Sequence, residues 1–296
     1  MSAQVIGALA TQALRREIDT WPKPGLVTPV DSGSHTDMDA RLLRRSAYVL
    51  RPYFIELAQA GAQHAPLAVL RQIGCQAEQT MLGATGGINT HRGAIFGMGL
   101  LCAAAGLMDA EGLTYLRRAR PSLGQVVRRQ WGAALGAQPR VGGNSHGAMV
   151  QRRHGVGGAH AEAACGFETL YQVALPALRR GRRLAPVDAN AARVQCCMAL
   201  MAHVEDTNLL FRGGAEGLLF ARSLAQTFID RGGIGARDWQ QEALRAHHAL
   251  VERRLSPGGC ADLLAMALFV DGWVRWRRAS RSMHTSARLA RETVGA

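Results

Sequence analysis

The chain has 296 residues, 48% of them hydrophobic, which is enough to bury the core of one large domain or of two closely packed ones. Its formal charge of +13 favours anionic partners such as nucleic acid, an acidic surface or a polyphosphate. Only 5% of the residues are aromatic and the arginine pairs are scattered, so the sequence shows no base-stacking platform and no known nucleic-acid module.

Six cysteines lie mostly in apolar stretches and none forms a Cys-x-x-Cys pair, which is typical of reduced core residues rather than disulfides or zinc ligands. The first residues show no charged start followed by an apolar run, so no export signal is expected. The longest apolar run, 93–108, is short and glycine-rich for a membrane span. We therefore expect a cytoplasmic protein with no membrane and no nucleic-acid partner.

Apolar residues recur at three- and four-residue spacing along most of the chain, and period-two runs are nearly absent. This pattern predicts an all-α protein in which residues 1–275 form a single compact multi-helix domain. Residues 276–296 are basic, contain few apolar side chains and are predicted to be a flexible tail. The predicted helices cover residues 2–20, 39–61, 65–82, 91–108, 122–136, 162–180, 188–204, 214–231, 237–254 and 259–278.

Lys23, the only lysine of the chain, follows the first predicted helix within residues 21–25. Lysine carries a compact ammonium, whereas arginine carries a flat guanidinium fork. A point cation between two prolines favours contact with an anion such as phosphate. Chance survival of one lysine in an arginine-rich chain is the alternative.

Two acids, Asp37 and Asp39, stand at the entrance of the second predicted helix, just after His35. Their charge suits a helix N-terminus, so either could simply cap the helix. Carboxylates of this kind also hold Mg²⁺ together with ligand phosphates. Both interpretations remain open from the sequence.

Five glycine-rich loops with polar or cationic residues lie in the breaks between predicted helices, and several run directly into a helix start. Backbone N–H groups and the positive dipole end make a helix start suitable for an anion, and glycine lets the anion approach. Ordinary helix capping explains any one loop, but the whole set predicts helix starts that converge on one anionic ligand to form the active site. No P-loop or Rossmann fingerprint is present. The loops span residues 85–93, 142–147, 155–162, 206–214 and 256–262.

Several side chains beside these loops could perform chemistry. Glu162 is a candidate general base or metal ligand, or else a helix cap. Asp206 and Asn208 offer oxygen ligands, and Arg212 follows for a phosphate. There is no His-x-x-x-His pair for zinc and no serine nucleophile elbow.

Several motifs, in the same order, resemble the triphosphoribosyl-dephospho-coenzyme A synthase family. The resemblance extends from about residue 10 to residue 275. The motifs are residues 22–27, 33–39, 87–96, 166–167, 206–214 and 256–265.

The resemblance implies an all-α enzyme that uses ATP as a sugar donor. The 2′-hydroxyl of 3′-dephospho-coenzyme A would attack the ribose anomeric carbon, adenine would leave, and the triphosphate would travel with the sugar. The product would be the precursor of the prosthetic group on the acyl-carrier subunit of malonate decarboxylase or citrate lyase. The malonate decarboxylase version resembles this chain more, and its acyl-carrier-protein transferase would be the downstream partner. The oligomeric state is left open, with a homodimer as one option.

Physical chemistry suggests roles for the side chains in such a reaction, because breaking an N-glycosidic bond builds positive charge at the anomeric carbon. A carboxylate would stabilise that charge or accept the hydroxyl proton, with Glu162 preferred over Asp37, and His91 or His146 would protonate the leaving adenine. The residues expected to bind the triphosphate are Lys23, Asn89, Thr90, Arg92, Arg212, Gly213 and Gly258, and those expected to bind Mg²⁺ are Asp39, Asp206, Asn208 and Asp262.

One departure from the family pattern concerns His160, which stands where relatives usually have arginine. This difference puts a permanent phosphate clamp at that position in doubt. Two rival functions are also kept: an all-α, Mg²⁺-dependent enzyme similar to ADP-ribosyl hydrolases, and a basic helical nucleic-acid-binding protein.

Overall fold

The computed structural model describes residues 2–112, 121–137 and 157–294, with side chains up to residue 280. Within these ranges the chain folds into helices and contains no strand, which confirms the predicted all-α class. The helices are α1 Ala3–Ile18, α2 Ala40–Val49, α3 Arg51–Ala62, α4 Leu67–Ala84, α5 Arg92–Ala110, α6 Leu123–Ala137, α7 Gly158–Ala164, α8 Leu175–Leu184, α9 Ala189–His203, α10 Thr207–Asp230, α11 Trp239–Glu252 and α12 Gly258–Val294.

The core is organised around α5, which is buried along nearly its whole length. Glycines allow α3 to approach it closely: a Cβ atom on Gly61 would lie 2.0 Å from the Ala103 carbonyl oxygen, and one on Gly106 would lie 1.9 Å from that of Ala58. In the described chain, α5 is the one helix long and apolar enough to cross a membrane, and 78% of that segment is buried inside the fold, as in a core helix.

Six helices, α1, α3, α4, α6, α7 and α12, pack against α5, and Arg92 at its start is exposed. α12 packs against α5 and α1, and α10 packs against α9. α6 packs against α7 and α5. As a result, the first turn of α5 meets the first turns of other helices at one end of the core.

Two of the predicted helices are interrupted in the structure. The predicted helix 39–61 is divided at Leu50, because Pro52 cannot donate a helical hydrogen bond and therefore begins a new helix, α3. The predicted helix 162–180 is broken at Gly166 and Phe167, whose φ angles of 81° and 60° are left-handed.

The two C-terminal differences concern helix length. α10 begins at Thr207, seven residues before the predicted start, and Gly214 (φ 61°, ψ −160°) interrupts its helical backbone. α12 continues to Val294, so the backbone of residues 276–294 within the predicted tail is helical. The single-domain assignment and the flexibility of residues 276–296 stay predictions.

Candidate active site

A cavity of about 1600 Å³ lies where the starts of α5, α7, α10 and α12 meet the end of α1 and the segment after it. Lys23, Arg92, Glu162 and Arg212, which are far apart in the sequence, all line it. Because helix starts expose backbone N–H groups and a positive dipole end, this arrangement suits an anionic ligand.

Lys23 lies at the buried centre of this site and is only 1% exposed. Its ammonium donates a hydrogen bond to the Glu17 backbone oxygen at 2.9 Å and forms an ion pair with the Glu17 carboxylate. The charge that the sequence suggested for a phosphate is therefore already balanced by a buried acid. Lys23 can contact a ligand only through ammonium protons that are not already bonded to Glu17.

Asp206 joins the starts of two helices and is almost fully buried. One carboxylate oxygen accepts the N–H groups of Asn208 and Leu209, at 2.8 and 3.2 Å, and so caps α10. The other accepts the N–H of Cys260 in the first turn of α12, at 2.8 Å. Three of the roughly four acceptor positions of this carboxylate are thus used by backbone.

Asp262 brings a third carboxylate to the same centre. It packs against Gly93 at the start of α5, where a Cβ atom would lie 2.1 Å from its Oδ2 atom. Burial raises the pKa of Asp262 well above its ordinary value, and the nearby charges of Glu17 and Asp206 raise it further. Burial also raises the pKa of Glu17 and that of Asp206. Three carboxyl groups and a single lysine therefore meet at the centre of the cavity, and the raised pKa values show that carrying all three negative charges at once is disfavoured.

His91 is the N-cap residue of α5, and only 5% of it is exposed. Its Nδ1 atom is 2.7 Å from the hydroxyl oxygen of Ser46 in α2. Burial, together with the charge of Lys23, lowers the pKa of His91 to about 4. The imidazole is therefore neutral at neutral pH, which argues against the predicted role of a cationic acid for adenine.

At one end of the cavity, Arg212 is held by neutral acceptors. Its Nη1 atom donates to the backbone oxygens of Ser34 and Arg254, both at 3.2 Å. Its Nη2 atom lies 3.4 Å from Nδ1 of His35, whose Nε2 atom is 2.9 Å from the Ser256 hydroxyl. No carboxylate in the described chain forms an ion pair with Arg212, so its positive charge is available to a ligand.

The cavity also contains an aromatic and cationic group around His160. The ring of Phe96 contacts that of His160, with 4.4 Å between centroids and 32° between planes. Burial and the neighbouring Arg71 lower the pKa of His160, so it does not supply a permanent charge. Arg92, in contrast to Arg71, forms an ion pair with Glu78. Within the described ranges, Arg71 has no carboxylate partner, so it supplies the positive charge beside Phe96 and His160.

Glu162 lines the cavity but both of its carboxylate oxygens are used locally. They accept the backbone N–H and the hydroxyl of Thr169, at 2.8 and 2.9 Å. Burial raises its pKa. Of the interpretations offered by the sequence, helix capping describes these contacts, although the capped segment is the one that follows Thr169 rather than α7.

The structure does not bring every predicted site residue to the cavity. Asp39 caps α2 through the N–H of Leu42 at 2.7 Å, and Asp37 is about half exposed beside His35. Neither belongs to the cavity lining, and Gly213, which faces Leu255, does not either. His146 lies outside the described residues. The other predicted residues that line the cavity are Asn89, Thr90, Arg92, Asn208 and Gly258.

Four residues that line or support this cavity have no role predicted from the sequence: Glu17, Ser46, Arg71 and Arg222. Glu17 had a readable signal, because it continues the buried stripe of α1 at helical spacing from Ala10 and Leu14, where an apolar side chain is expected. Arg71 and Arg222 stand among many other arginines and carry no such signal.

A metal site made of protein ligands alone is not formed by the described part of the chain, since no three His, Cys, Asp or Glu side chains are grouped to hold an ion. Mg²⁺, however, commonly binds through one or two carboxylates together with substrate phosphates. A cation that arrives with a polyphosphate would favour the ionised form of these three central acids.

The cavity thus combines cationic ends, helix starts and central acids, and its motifs have counterparts in known proteins. Residues 3–281 match the family of ATP:dephospho-CoA triphosphoribosyl transferases. The chain belongs to this family. It is accordingly a transferase, and the triphosphoribosyl transferase match covers every described residue that we have placed at the cavity.

Similar curated proteins carry matching names. A 2-(5''-triphosphoribosyl)-3'-dephosphocoenzyme-A synthase of Pectobacterium atrosepticum is 42% identical over 86% of this chain and 84% of its own length. One from Klebsiella pneumoniae is 39% identical over 92% of both chains. A probable synthase of Acinetobacter calcoaceticus is 38% identical over 90% of both chains. No solved structure matches the chain with comparable significance.

Proposed function

We propose that this protein transfers the 5-triphosphoribosyl group of ATP to the 2′-hydroxyl of 3′-dephospho-coenzyme A and releases adenine. The observation that carries the proposal is a cavity with a free cation towards each end and acids between them, in a member of the triphosphoribosyl transferase family. Both substrates are polyphosphates, so each needs cationic contacts, and the sugar that changes partners needs anionic ones.

A continuous series of contacts supports the order of these groups along the cavity. From Arg212 the contacts pass through the loop before α12 to the three acids, and from there through the first turn of α5 to Arg71. The series runs Arg212, His35, Ser256, then Asn208 beside Gly258, Asp206 beside Gly259, Asp262 beside Gly93, then Phe96, His160 and Arg71. The triphosphate and the coenzyme diphosphate would lie towards opposite ends.

The central acids would act on the sugar. As the bond between adenine and the anomeric carbon breaks, the ribose gains positive charge that nearby carboxylates stabilise. Asp262 is more exposed to the cavity than Asp206 or Glu17, and once ionised its raised pKa makes it a stronger base for the hydroxyl proton. The coenzyme 2′-oxygen would bond to the anomeric carbon, its proton would pass to Asp262, and adenine would leave with the electrons of the broken bond and take up a proton. Direct displacement inverts the configuration at that carbon.

This assignment replaces the two acids preferred from the sequence. Both oxygens of Glu162 already accept hydrogen bonds from Thr169, and Asp37 is not part of the cavity lining. Glu162 would instead fix the segment that follows α7.

Mg²⁺ would neutralise phosphate charge while leaving the phosphate bonds intact. Asp206 accepts a hydrogen bond from the Cys260 thiol in addition to its three backbone contacts, so a metal ion would take the place of this weak donor, and the Asn208 side chain lies next to it in the cavity. These two residues would hold the ion together with phosphate oxygens, an open arrangement that magnesium favours. Asp39, already a helix cap away from the cavity lining, is not part of this proposal.

The proposed downstream pathway is that of malonate decarboxylase, with citrate lyase as the alternative. The support is the similarity of the sequence to the stand-alone form of the enzyme. Offering the reaction product to the acyl-carrier-protein transferase and acyl-carrier subunit of each system, and measuring which carrier is modified by mass spectrometry, tests this choice.

The activity is tested by incubating the protein with ATP, Mg²⁺ and dephospho-coenzyme A and measuring free adenine and the coupled product by chromatography and mass spectrometry. Adenine and product in equal amounts are expected. Adenine released equally well without dephospho-coenzyme A would indicate a hydrolase. No adenine, together with nucleic-acid binding that weakens steeply with salt, would indicate the nucleic-acid-binding alternative.

A further inference from the structure

We propose that the hydroxyls of Thr90 and Ser46 form a relay that fixes His91 as the tautomer protonated on Nε2, so that His91 meets the bound nucleotide as a neutral hydrogen-bond donor. Thr90 Oγ1 donates to Ser46 Oγ at 2.7 Å. Ser46 Oγ in turn lies 2.7 Å from His91 Nδ1. Ser46 is then a positioning residue that acts through His91.

The direction of the relay follows from counting protons. Ser46 has one hydroxyl proton, and it already accepts the proton of Thr90. Apart from Thr90, the described chain offers the Ser46 hydroxyl one hydrogen-bond partner, His91 Nδ1. Since the Ser46 proton needs an acceptor, Nδ1 must accept it and the imidazole proton must be on Nε2.

The surroundings of the relay hold this arrangement in place. Ser46 is fully buried and His91 is 5% exposed, so water does not compete for these hydrogen bonds. The His91 backbone N–H is directed to the Met81 sulfur at 3.2 Å, which leaves the ring as the part of His91 that serves the cavity. Lys23 lies close enough to disfavour a second positive charge on this ring.

A neutral donor suits this position. An imidazolium beside Lys23 would cost free energy, whereas a neutral ring can donate from Nε2 to a phosphate, ribose or adenine acceptor without carrying charge. The assignment of the acceptor to a nucleotide rests on the proposed function, but the tautomer does not.

The tautomer is measured directly by NMR of protein labelled with ¹⁵N in its histidine rings, with the His91 signals identified by their loss in His91→Gln. In the unsubstituted protein a single tautomer protonated on Nε2 is expected. In Ser46→Ala and in Thr90→Val, both tautomers are expected, because Nδ1 loses its fixed donor. Thr90→Ser keeps the hydroxyl and should keep the single tautomer.

A kinetic measurement links the relay to the reaction. Ser46→Ala is expected to lower kcat about tenfold, the effect of one hydrogen bond, with KM for ATP nearly unchanged. Thr11→Val removes a buried hydroxyl in α1 that donates to the Gly7 carbonyl, so it controls for general loss of packing and should leave the His91 signals unchanged.

Protonation of His91 on Nδ1 in the unsubstituted protein would overturn the proposal, as would an unchanged single tautomer in Thr90→Val. Because Thr90 is partly exposed, Thr90→Val is expected to fold, and it tests the tautomer even if Ser46→Ala does not fold. The NMR result needs no substrate. If the protein released no adenine at all, the proposed function would fail while the tautomer would still be decided.

Discussion

Lys23 and Glu17 show how burial changes the meaning of a residue that is conspicuous in the sequence. The lone lysine suggests a phosphate contact, yet its ammonium is paired inside the fold with an acid six residues earlier. A buried ion pair is weak support for stability but strongly resists the loss of one partner, because the other charge is then left without compensation.

Replacing Lys23 with Met should therefore lower the free energy of unfolding by about 3–5 kcal/mol. The double variant Lys23→Met with Glu17→Gln should recover part of this loss, since it removes the unpaired buried carboxylate. Urea unfolding of the two single variants and the double variant measures the coupling. Strictly additive effects of the two substitutions would show that the pair is not formed.

His91 predicts a pH dependence of stability whose sign follows from its lowered pKa. The pKa of His91 in the folded state is about 4, below the ordinary value of 6.5. At a pH between these two values, His91 is therefore protonated in the unfolded chain but not in the folded chain. Stability is then lost as the pH falls from 6.5 to 4, by about 3 kcal/mol at 1.36 kcal/mol for each pH unit.

The matched comparison is His91→Asn, which lacks this titration. The difference in the free energy of unfolding between the unsubstituted protein and the variant should shrink as the pH falls through this range, while the other groups cancel. A difference that stays constant from pH 7 to pH 4 would contradict the shift.

Arg212 predicts a specific loss of substrate binding. Its guanidinium contacts two carbonyl oxygens and His35 at once, and an ammonium cannot copy this geometry. Arg212→Lys and Arg212→Ala should both raise KM for one of the two substrates by at least about tenfold, whereas Arg237→Ala, at an exposed position away from the cavity, should not. Steady-state kinetics with each substrate varied in turn measures this, and equal KM values in all three variants would remove Arg212 from the site.

At the residue scale, the sequence indicates which loops matter better than which atoms act. Thr90, His91, Asn208 and Arg212 stand in glycine-rich motifs and do line the cavity. Asp39 stands in such a motif as well, but its carboxylate accepts a hydrogen bond from the N-terminus of α2. The spacing of residues alone does not decide between this capping role and a role in the cavity.

At the scale of elements, the contact between α3 and α5 depends on the absence of side chains. Gly106 lies against the Ala58 carbonyl so closely that a methyl group has no space. Periodicity predicts both helices, but it does not reveal this contact, because closeness depends on how two faces meet rather than on either pattern. The interruptions at Leu50 and Gly166 likewise depend on local backbone constraints within segments of continuous apolar spacing.

Gly106→Ala should destabilise the protein by about 1–3 kcal/mol, the usual cost of overpacking a filled core. Gly83→Ala is the matched control, since Gly83 is also helical, lies in α4 and has no neighbour within 4 Å of the added Cβ atom. That change should be neutral or stabilising by up to about 1 kcal/mol, because alanine favours the helix more than glycine does. Thermal unfolding of both variants provides the comparison, and equal melting temperatures would contradict the close packing.

At the scale of the whole molecule, the cavity is formed by segments from α1 to α12. Among the described residues, Lys23 alone does not balance the charge of its three central acids. The all-α class was predictable, because periodicity is a property of each segment. The cavity shape and the meeting of Glu17, Asp206 and Asp262 were not, because they arise from long-range packing.

Mg²⁺ and ATP together should therefore raise the melting temperature more than the sum of their separate effects, since the ion relieves the acidic centre and brings the phosphates to the cationic groups. Excess EDTA should abolish both this extra stabilisation and turnover. Differential scanning fluorimetry with each ligand alone and with both measures the first effect. Undiminished turnover in EDTA would dispose of the metal proposal.

Helix α5 serves both the cavity and the core, which has a consequence for the substitutions that can change the activity of this enzyme. One end of the helix places His91 and Arg92 at the cavity, while the rest forms the centre of the hydrophobic interior. A substitution three or four turns down the helix can tilt or slide it as a rigid rod, and the reacting groups would move with it. Screens for altered turnover should thus recover changes far from any bound molecule.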